Sequence, residues 1–581
     1  MTNLYVHVII DFIDKKRKKN MTTCRHQTMM KLELLPNEVL CLCFEFFDVI
    51  ELFNTFDGLN QRFSRLIRQI PLYLNFKFVR KSIFDEFCAR LSSDDQIRNQ
   101  IYSLKLSNSR TFKEIELFLS KFTFDQFPRL QSLEFDTINE KNVEQLNTML
   151  PSVPELHRLC LLTNELYLLE NIPLSKLKVL YIDSMVNLCN LSSITHLSIR
   201  RCTFTDIGTD IFRYLPVLKY LRIEHILHFN HENEHIHSST AIHLKCLIFD
   251  DVFVENFEQL IQIFCHTPNL TNLTIAHGFI KQMHVDKMQE IIESFLPLLK
   301  VFKFNFLTDI SNRQEIGIRL FDSFQTDFWH QYQWFTEYVI QNNYIYIYTI
   351  PNPIDKYNIS LFRDRYATNH INAFDNVRSL KIDPGQNDAY EFYFAHIEEL
   401  QLVNDDIEMR VLRNSDIERL KSMVNFAHIK HLQIHEIFSI ENPSDWIELF
   451  HKMPKLCELT IPPNILRSFL EYSNDQIRIL NIKYKCMPST IVDHVETSKL
   501  RPMFSNLETY TGWLNSIDDL IYLMKNFANI SMIYADIPLK QDTKTKIKQL
   551  ERQLNESNAT YHIEIIELNY NDCGINVRIW F

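Results

Sequence analysis

Leu218-Lys219-Tyr220-Leu221-Arg222-Ile223 is one copy of a phrase, apolar-x-x-apolar-x-apolar, that runs through most of this 581-residue chain. The last two apolar positions of the phrase are two residues apart, so they share one face of a strand. Preceding copies are Ile101/Leu104/Leu106, Leu130/Leu133/Phe135, Leu156/Leu159/Leu161, Leu177/Leu180/Ile182 and Ile194/Leu197/Ile199. Leu244/Leu247/Phe249, Leu270/Leu273/Ile275 and Leu299/Phe302/Phe304 follow. After a gap the phrase resumes at Val377/Leu380/Ile382, Ile397/Leu400/Leu402 and Ile429/Leu432/Ile434. Leu456/Leu459/Ile461 and Ile477/Leu480/Ile482 come next, and Leu507/Tyr510 is a worn last copy.

Successive copies commonly lie roughly 20–30 residues apart, the spacing of leucine-rich repeats. Pro or Asn-Leu often precedes the phrase, as at Phe127-Pro128, Thr267-Pro268-Asn269 and Met453-Pro454. Such residues turn the chain into the strand. Several intervals carry helical spacing, among them Phe112/Ile115/Phe118/Leu119, Val143/Leu146/Met149/Leu150 and Phe257/Leu260/Ile261/Phe264. Met288/Ile291/Ile292/Phe295, Trp446/Ile447/Leu449/Phe450 and Leu520/Ile521/Met524/Phe527 continue the theme. Strand plus helix, repeated, predicts an α/β leucine-rich-repeat solenoid, a horseshoe whose units are stable only when stacked. The Asn or Cys expected shortly after each strand stands at Asn164, Cys202 and Asn464 but is mostly missing. The horseshoe is therefore expected to be irregular.

The phrase is absent between about residues 306 and 373, which predicts two halves. Trp334 to Ile340 and Tyr344 to Ile350 suit a hairpin across Gln341-Asn342-Asn343. Tyr561 to Leu568 and Ile575 to Phe581 suit another, across a turn at Asn571-Asp572-Cys573-Gly574. Each half would then end in antiparallel strands that protect an open sheet edge. The boundaries read from the sequence are 72–350 for the first half, 351–373 for a linker and 374–581 for the second half. The run Tyr344-Ile345-Tyr346-Ile347-Tyr348 has the pattern of a half-buried edge or cap. It is also the best aromatic candidate for target recognition, since Tyr and Trp are enriched at binding hot spots.

Ahead of the repeats, Leu34-Leu35-Pro36-Asn37-Glu38-Val39-Leu40 opens a three-helix unit spanning 31–71, behind a leader over 1–30 that is expected to be disordered. Pro36 suits the first helical position, and Glu38 suits the first turn, where the helix dipole favours negative charge. Val39, Leu40, Cys43, Phe44 and Phe47 recur at helical spacing, and Leu42 and Phe46 widen the apolar face beyond one stripe. Asp48-Val49-Ile50-Glu51 reads as a capping box. The helix it starts carries Leu52, Phe53 and Phe56 and is ended by Gly58. A third helix carries Phe63, Leu66, Ile67 and Ile70. Pro71 marks its end. So small a unit cannot hide all of these side chains, and an exposed apolar patch marks a binding surface.

Leu35-Pro36-x-Glu38-Val39-Leu40, Phe44, Phe47, Leu52-Phe53 and Leu59-Asn60-x-Arg62-Phe63 together resemble an F-box. Phe47 departs from the leucine frequent in that family. The resemblance implies an F-box and leucine-rich-repeat substrate receptor of an SCF-type ubiquitin ligase. It implies that Leu35, Pro36, Glu38, Val39, Leu40, Phe44, Phe47, Leu52 and Phe53 bind the Skp adaptor of a cullin–RING ligase, while the repeats hold a target protein. Such a chain performs no bond chemistry and needs no cofactor. The same helices also suit a terminal cap on a repeat scaffold without any ubiquitin role.

Composition supports an interaction protein over an enzyme. Hydrophobic residues make up 46% and charged residues 23%, which predicts a globular body. The 7 glycines are widely separated, so no phosphate-cradling loop can be written from them. Neither a G-x-S-x-G elbow nor an H-E-x-x-H helix occurs. A formal net charge of −11 argues against a broad nucleic-acid footprint. The 12 cysteines are scattered, without a C-x-x-C pair, which suits a reducing cytoplasmic or nuclear location. No stretch has the length and apolarity of a membrane span. The basic run Lys15-Lys16-Arg17-Lys18-Lys19 follows an apolar stretch, the reverse of a signal peptide; it has the composition of a nuclear localisation signal, and the reading preferred is a solvated leader. His225, His228, His231, His235, His237 and His243 crowd one stretch, but Asn230, Asn233, Ser238 and Ser239 mark it as a polar loop between repeats. No metal site is expected there.

Overall fold

Parallel strands built on the recurring phrase dominate the protein. The computed structural model describes residues 32–581 apart from 78, 110, 112, 164–175, 185–192, 228–238, 255–257, 281–283, 310–313, 342, 360–361, 367–372, 385–391, 405–409, 436–437, 470–472, 484–496, 539–542, 557–560 and 569–573. The leader over 1–30, most of the histidine-rich stretch and Asn164 lie outside the described residues. The chain divides into two compact units at Leu177/Lys178, with Arg80–Ser82 grouped with the second. The division thus falls well before the stretch expected to be the linker.

Unit 1 begins with three short helices, α1 (Asn37–Phe44), α2 (Val49–Phe56) and α3 (Gln61–Ile67). Four parallel strands follow: β1 (Leu72–Asn75), β2 (Ile101–Ser107), β3 (Ser132–Ile138) and β4 (Arg158–Thr163). The phrase sets the register: Leu104 faces Leu133 and Leu133 faces Leu159, while Leu106, Phe135 and Leu161 form the next row. All six side chains are buried, as a strand needs when its apolar face packs under its neighbours. The phrase first appears at Ile101, but the array starts one strand earlier, with Leu74 paired to Leu104.

Unit 2 continues the pattern. β5 (Val179–Ser184), β6 (His196–Cys202), β7 (Tyr220–Ile226), β8 (Cys246–Val254), β9 (Asn272–Ile280) and β10 (Val301–Asp309) pair in parallel order. Leu197, Leu221, Leu247, Leu273 and Phe302 form one buried row, with successive residues paired. The helices expected between strands include Glu258–Phe264, Val285–Phe295, Pro443–His451 and Ile517–Asn526.

The parallel strands of unit 2 from β5 to β10 are closed by the antiparallel pair β11 (Thr336–Gln341) and β12 (Tyr344–Thr349). β12 also pairs antiparallel with β10. The tyrosine run is therefore an inner strand and not an edge: Tyr348 is buried, Tyr346 is half-buried and Tyr344 is exposed. Alternation alone does not distinguish an edge from a strand slotted between two others.

The stretch read as a linker carries two strands. β13 (Lys356–Ile359) pairs in parallel with β15 (Ser379–Ile382) and opens a second sheet. β14 (Phe362–Tyr366) returns to the first sheet and pairs antiparallel with β11. The chain thus crosses between sheets and back, and one core cluster takes in Val339 and Tyr348 together with residues from Ile354 to Ile579. Asn352 is buried at this crossing, accepting from the Asn305 side-chain amide at 3.2 Å. Its main-chain N–H donates to the Ala373 carbonyl at 2.7 Å.

The second sheet runs on through β16 (Glu399–Leu402), β17 (His431–Ile434), β18 (Glu458–Ile461), β19 (Ile479–Ile482), β20 (Thr509–Trp513) and β21 (Met532–Pro538). Leu380, Leu400, Leu432, Leu459, Leu480, Tyr510 and Ile533 form its central buried row, so Tyr510 does the work of the missing leucine. The antiparallel hairpin β22 (His562–Leu568) and β23 (Gly574–Trp580) ends it, with β23 paired to β21. Asn464 donates to the Phe438 carbonyl at 2.8 Å, linking consecutive connections through the side-chain amide.

Candidate functional site

The three N-terminal helices are fixed by local chemistry. Helix α1 starts at Asn37, so Pro36 occupies the capping position, one residue before the place read from the sequence. The Leu40 N–H donates to the Pro36 carbonyl at 3.0 Å. Asp48 caps α2 by accepting from the Ile50 N–H at 2.8 Å. Gly58 adopts φ +80° in the α2–α3 turn, where a side chain would be strained. Asn60 caps α3 by accepting from the Phe63 N–H at 2.9 Å.

An aromatic cluster forms the centre. Phe44 packs on Phe56 and Phe63 with ring centroids 5.2 and 6.2 Å away, and Phe56 meets Phe63 at 5.9 Å. Phe47 stands edge-on to Phe56 at 5.1 Å. The unit is also tied to the first repeats. Phe53 meets Phe87 at 5.5 Å, and Arg68 lies over the Phe53 ring while bridging Asp57 at 3.0 Å and Asp94 at 3.2 Å. The Gln100 amide donates to the carbonyls of Ile67 and Ile70, both at 2.8 Å.

This packing sorts the residues that the resemblance singled out. Leu35, Leu40, Phe44, Leu52 and Phe53 are buried within the chain. Val39 and Phe47 are half-buried, and Pro36 and Glu38 are exposed. The large apolar side chains that face solvent are instead Leu34, Leu42, Phe46 and Leu59, at 75%, 52%, 77% and 57% exposure. Leu42 and Phe46 are the residues that widened the apolar face of the first helix in the sequence, where nothing in their spacing marked them as surface. Leu34 ends a short 3-10 turn of helix (Leu32–Leu34) and Leu59 lies in the α2–α3 turn, and neither had a periodic signal.

Arg62 organises the segment that carries Leu34 and Pro36. Its guanidinium donates to the carbonyls of Glu33 and Leu35, and its Nε to the Asn37 side chain at 2.9 Å. The Leu-Pro segment is thereby anchored to α3 through its backbone, leaving Leu34 and Pro36 to point outward.

Unit 2 presents a second surface on its strands. Arg200 bridges Asp183 at 2.6 Å and Glu224 at 3.4 Å, and Arg222 bridges Asp250 at 2.6 Å. Phe253 stacks on Phe279 at 5.0 Å, and Tyr344 meets Phe279 edge-on at 6.4 Å. Phe253 and Tyr344 are each 38% exposed, so this aromatic row reaches solvent. His225 and His243 are exposed, and His225 lies 3.2 Å from Asp251. No group of three or more metal-ligating side chains occurs among the described residues. Among them, too, no helix is long and apolar enough to cross a membrane.

No protein-family model and no curated protein matches this sequence. Among solved structures, it is similar to the chain described as a TLR13–ssRNA13 complex, with a TM-score of 0.27 and 13% identity over 77% of this chain and 63% of that one. It is similar to the Toll–Spatzle complex of Drosophila, at 0.23 and 11% identity over 79% and 50%. A third is the Rad7–Elc1 complex of yeast, at 0.21 and 12% identity over 89% and 93%. The matched region is thus less than two thirds of the first two of those chains. At TM-scores of this size the similarities assign no function.

Proposed function

We propose that this chain is a substrate-recognition subunit of an SCF-type ubiquitin ligase. It docks on the Skp adaptor through the N-terminal helices and holds a target protein on the repeats. The observation that carries the reading is the exposure of Leu34, Leu42, Phe46 and Leu59 on a unit whose aromatic interior is already filled. Exposed aliphatic and aromatic side chains on so small a unit favour burial against a partner, at about 25 cal/mol for each Å² covered. The charged and aromatic strand surface of unit 2 is the target-binding candidate. The chain does no bond chemistry itself: it raises the local concentration of target lysines near the transferring enzyme.

The test is co-purification of residues 30–581 with the Skp adaptor, beside a Leu42→Ser, Phe46→Ser variant. Stoichiometric capture by the wild type and loss in a still-folded variant are expected. A folded wild type that captures no adaptor overturns the reading.

A second reading is favoured by the contacts from Gln100, Arg68 and Phe53, which weld the helices to the first strands. In it the helices cap a repeat scaffold with no ubiquitin role. It expects a 75–581 fragment to lose cooperative melting, whereas a separable docking module leaves a folded body.

A further inference from the structure

A groove of about 930 Å³ runs beside α3 in unit 1, on residues that the adaptor-docking reading does not use. Arg65, Arg68 and Arg129 line it, and among the described residues Asp94 is the one acidic residue on its wall. Arg68 is already engaged by Asp57 and Asp94. Arg65 and Arg129 are exposed and have no carboxylate partner among the described residues. Among the described residues, Arg129 has only the Tyr102 hydroxyl, at 3.4 Å. Two uncommitted guanidinium groups in one groove stand out on a chain whose formal net charge is −11.

The rest of the wall is amide-rich, with Gln61, Gln69 and Asn99 among its residues. Side-chain amides offer both donors and acceptors, which match the N–H and C=O groups of a peptide main chain. Guanidinium groups match carboxylate and phosphate oxygens in a planar fork. Among the described residues the wall carries no aromatic ring, the stacking platform that single-stranded nucleic acid needs.

We propose that this groove is a docking site for an acidic peptide segment of a partner protein. Its carboxylates engage Arg65 and Arg129, and its backbone lies along the amide-lined wall. The groove adjoins the exposed apolar patch at Leu59, which lies between the groove residues Gly58 and Asn60, but Arg65 and Arg129 are not part of that patch, and the peptide assay reads them without an Skp adaptor.

The test is fluorescence anisotropy on the full chain with a labelled peptide of alternating glutamate and serine. The matching lysine–serine peptide is the control, and inorganic phosphate is the competitor. An Arg65→Glu, Arg129→Glu variant is measured in parallel, with far-UV circular dichroism to confirm its fold. Binding of the glutamate peptide only, weakened at least about 10-fold in the folded variant and by added salt, is the expected result. Equal binding by variant and wild type, equal binding of the lysine peptide, or no binding at millimolar peptide overturns the proposal. Full displacement by phosphate at the peptide's own concentration overturns the peptide assignment in favour of a simple anion site. If a charge-reversed chain fails to fold, Arg65→Gln and Arg129→Gln are read singly by the same assay.

Discussion

Arg62 on α3 holds Leu35 by its main-chain carbonyl, across 27 residues of sequence. The same guanidinium takes the Glu33 carbonyl, so one side chain fixes the whole approach to α1. Hydrogen bonds from charged donors contribute roughly 1.5–3 kcal/mol when well shielded, and less at a half-exposed site. Arg62→Ala is expected to lower stability by only about 1–2 kcal/mol, yet to raise backbone exchange selectively over residues 33–37. Hydrogen exchange read by mass spectrometry checks this. Unchanged protection of that segment would show that Arg62 does not anchor it.

Buried and exposed apolar residues in and just after α1 should respond in opposite ways. Leu40 is fully buried, and Leu40→Ala is expected to cost about 2–5 kcal/mol. Phe46 is 77% exposed, and Phe46→Ser should leave the melting curve of the isolated chain almost unchanged. Chemical denaturation of both variants decides between them. A large loss from Phe46→Ser would mean that its ring is packed after all.

Glu114 makes stability depend on pH. It is completely buried, accepting from the Ser107 N–H at 2.9 Å and from the Thr111 hydroxyl at 2.7 Å. Burial pushes its carboxyl up to about 8, against weaker opposing hydrogen bonds from Thr111 and Ser107. Asp136 adds to the rise and Lys77 opposes it. A carboxyl raised on folding favours the protonated folded chain. Its contribution is therefore fully present below the ordinary glutamate range and is lost as pH rises through about 8. Unit 1 should lose on the order of a few kcal/mol between pH 5 and pH 9, and Glu114→Gln should flatten that slope. Denaturation series at several pH values test it, and an identical slope in the variant would rule Glu114 out as its source.

Gly278 sits where no side chain fits. A Cβ there would lie 2.8 Å from the Phe306 ring and 3.0 Å from an Ile275 methyl. Phe306 is itself buried and stacked on Phe304 at 4.5 Å, so it has little room to yield. Gly278→Ala is expected to destabilise unit 2 by about 1–3 kcal/mol through overpacking. Thermal melting checks this, and an unchanged midpoint would mean that the ring moves freely.

Sequence by itself determined the repeating strand. The spacing Leu-x-x-Leu-x-Leu forces two side chains onto one strand face, and burying that face in successive copies aligns Leu221 with Leu247 and Leu247 with Leu273. It also determined the break between the first two N-terminal helices and the end of the second, because Asp48 and Gly58 act through local backbone geometry, whereas the Asn60 cap of the third came only from the structure. Both hairpins were legible for the same reason: alternation and turn residues are short-range signals. Tertiary structure alone decided which apolar residues of the small unit are surface. Leu40 and Phe46 look alike in a sequence, and only the positions of Phe56 and Phe63 give the aromatic interior its place. The crossing of β13 and β14 between sheets was hidden because its pairing partners are distant in sequence. Glu114, the groove arginines and the carbonyls that Arg62 holds were hidden likewise, since a charged side chain carries no period. Periodicity reports that a face is covered, and only the assembled fold reports what covers it.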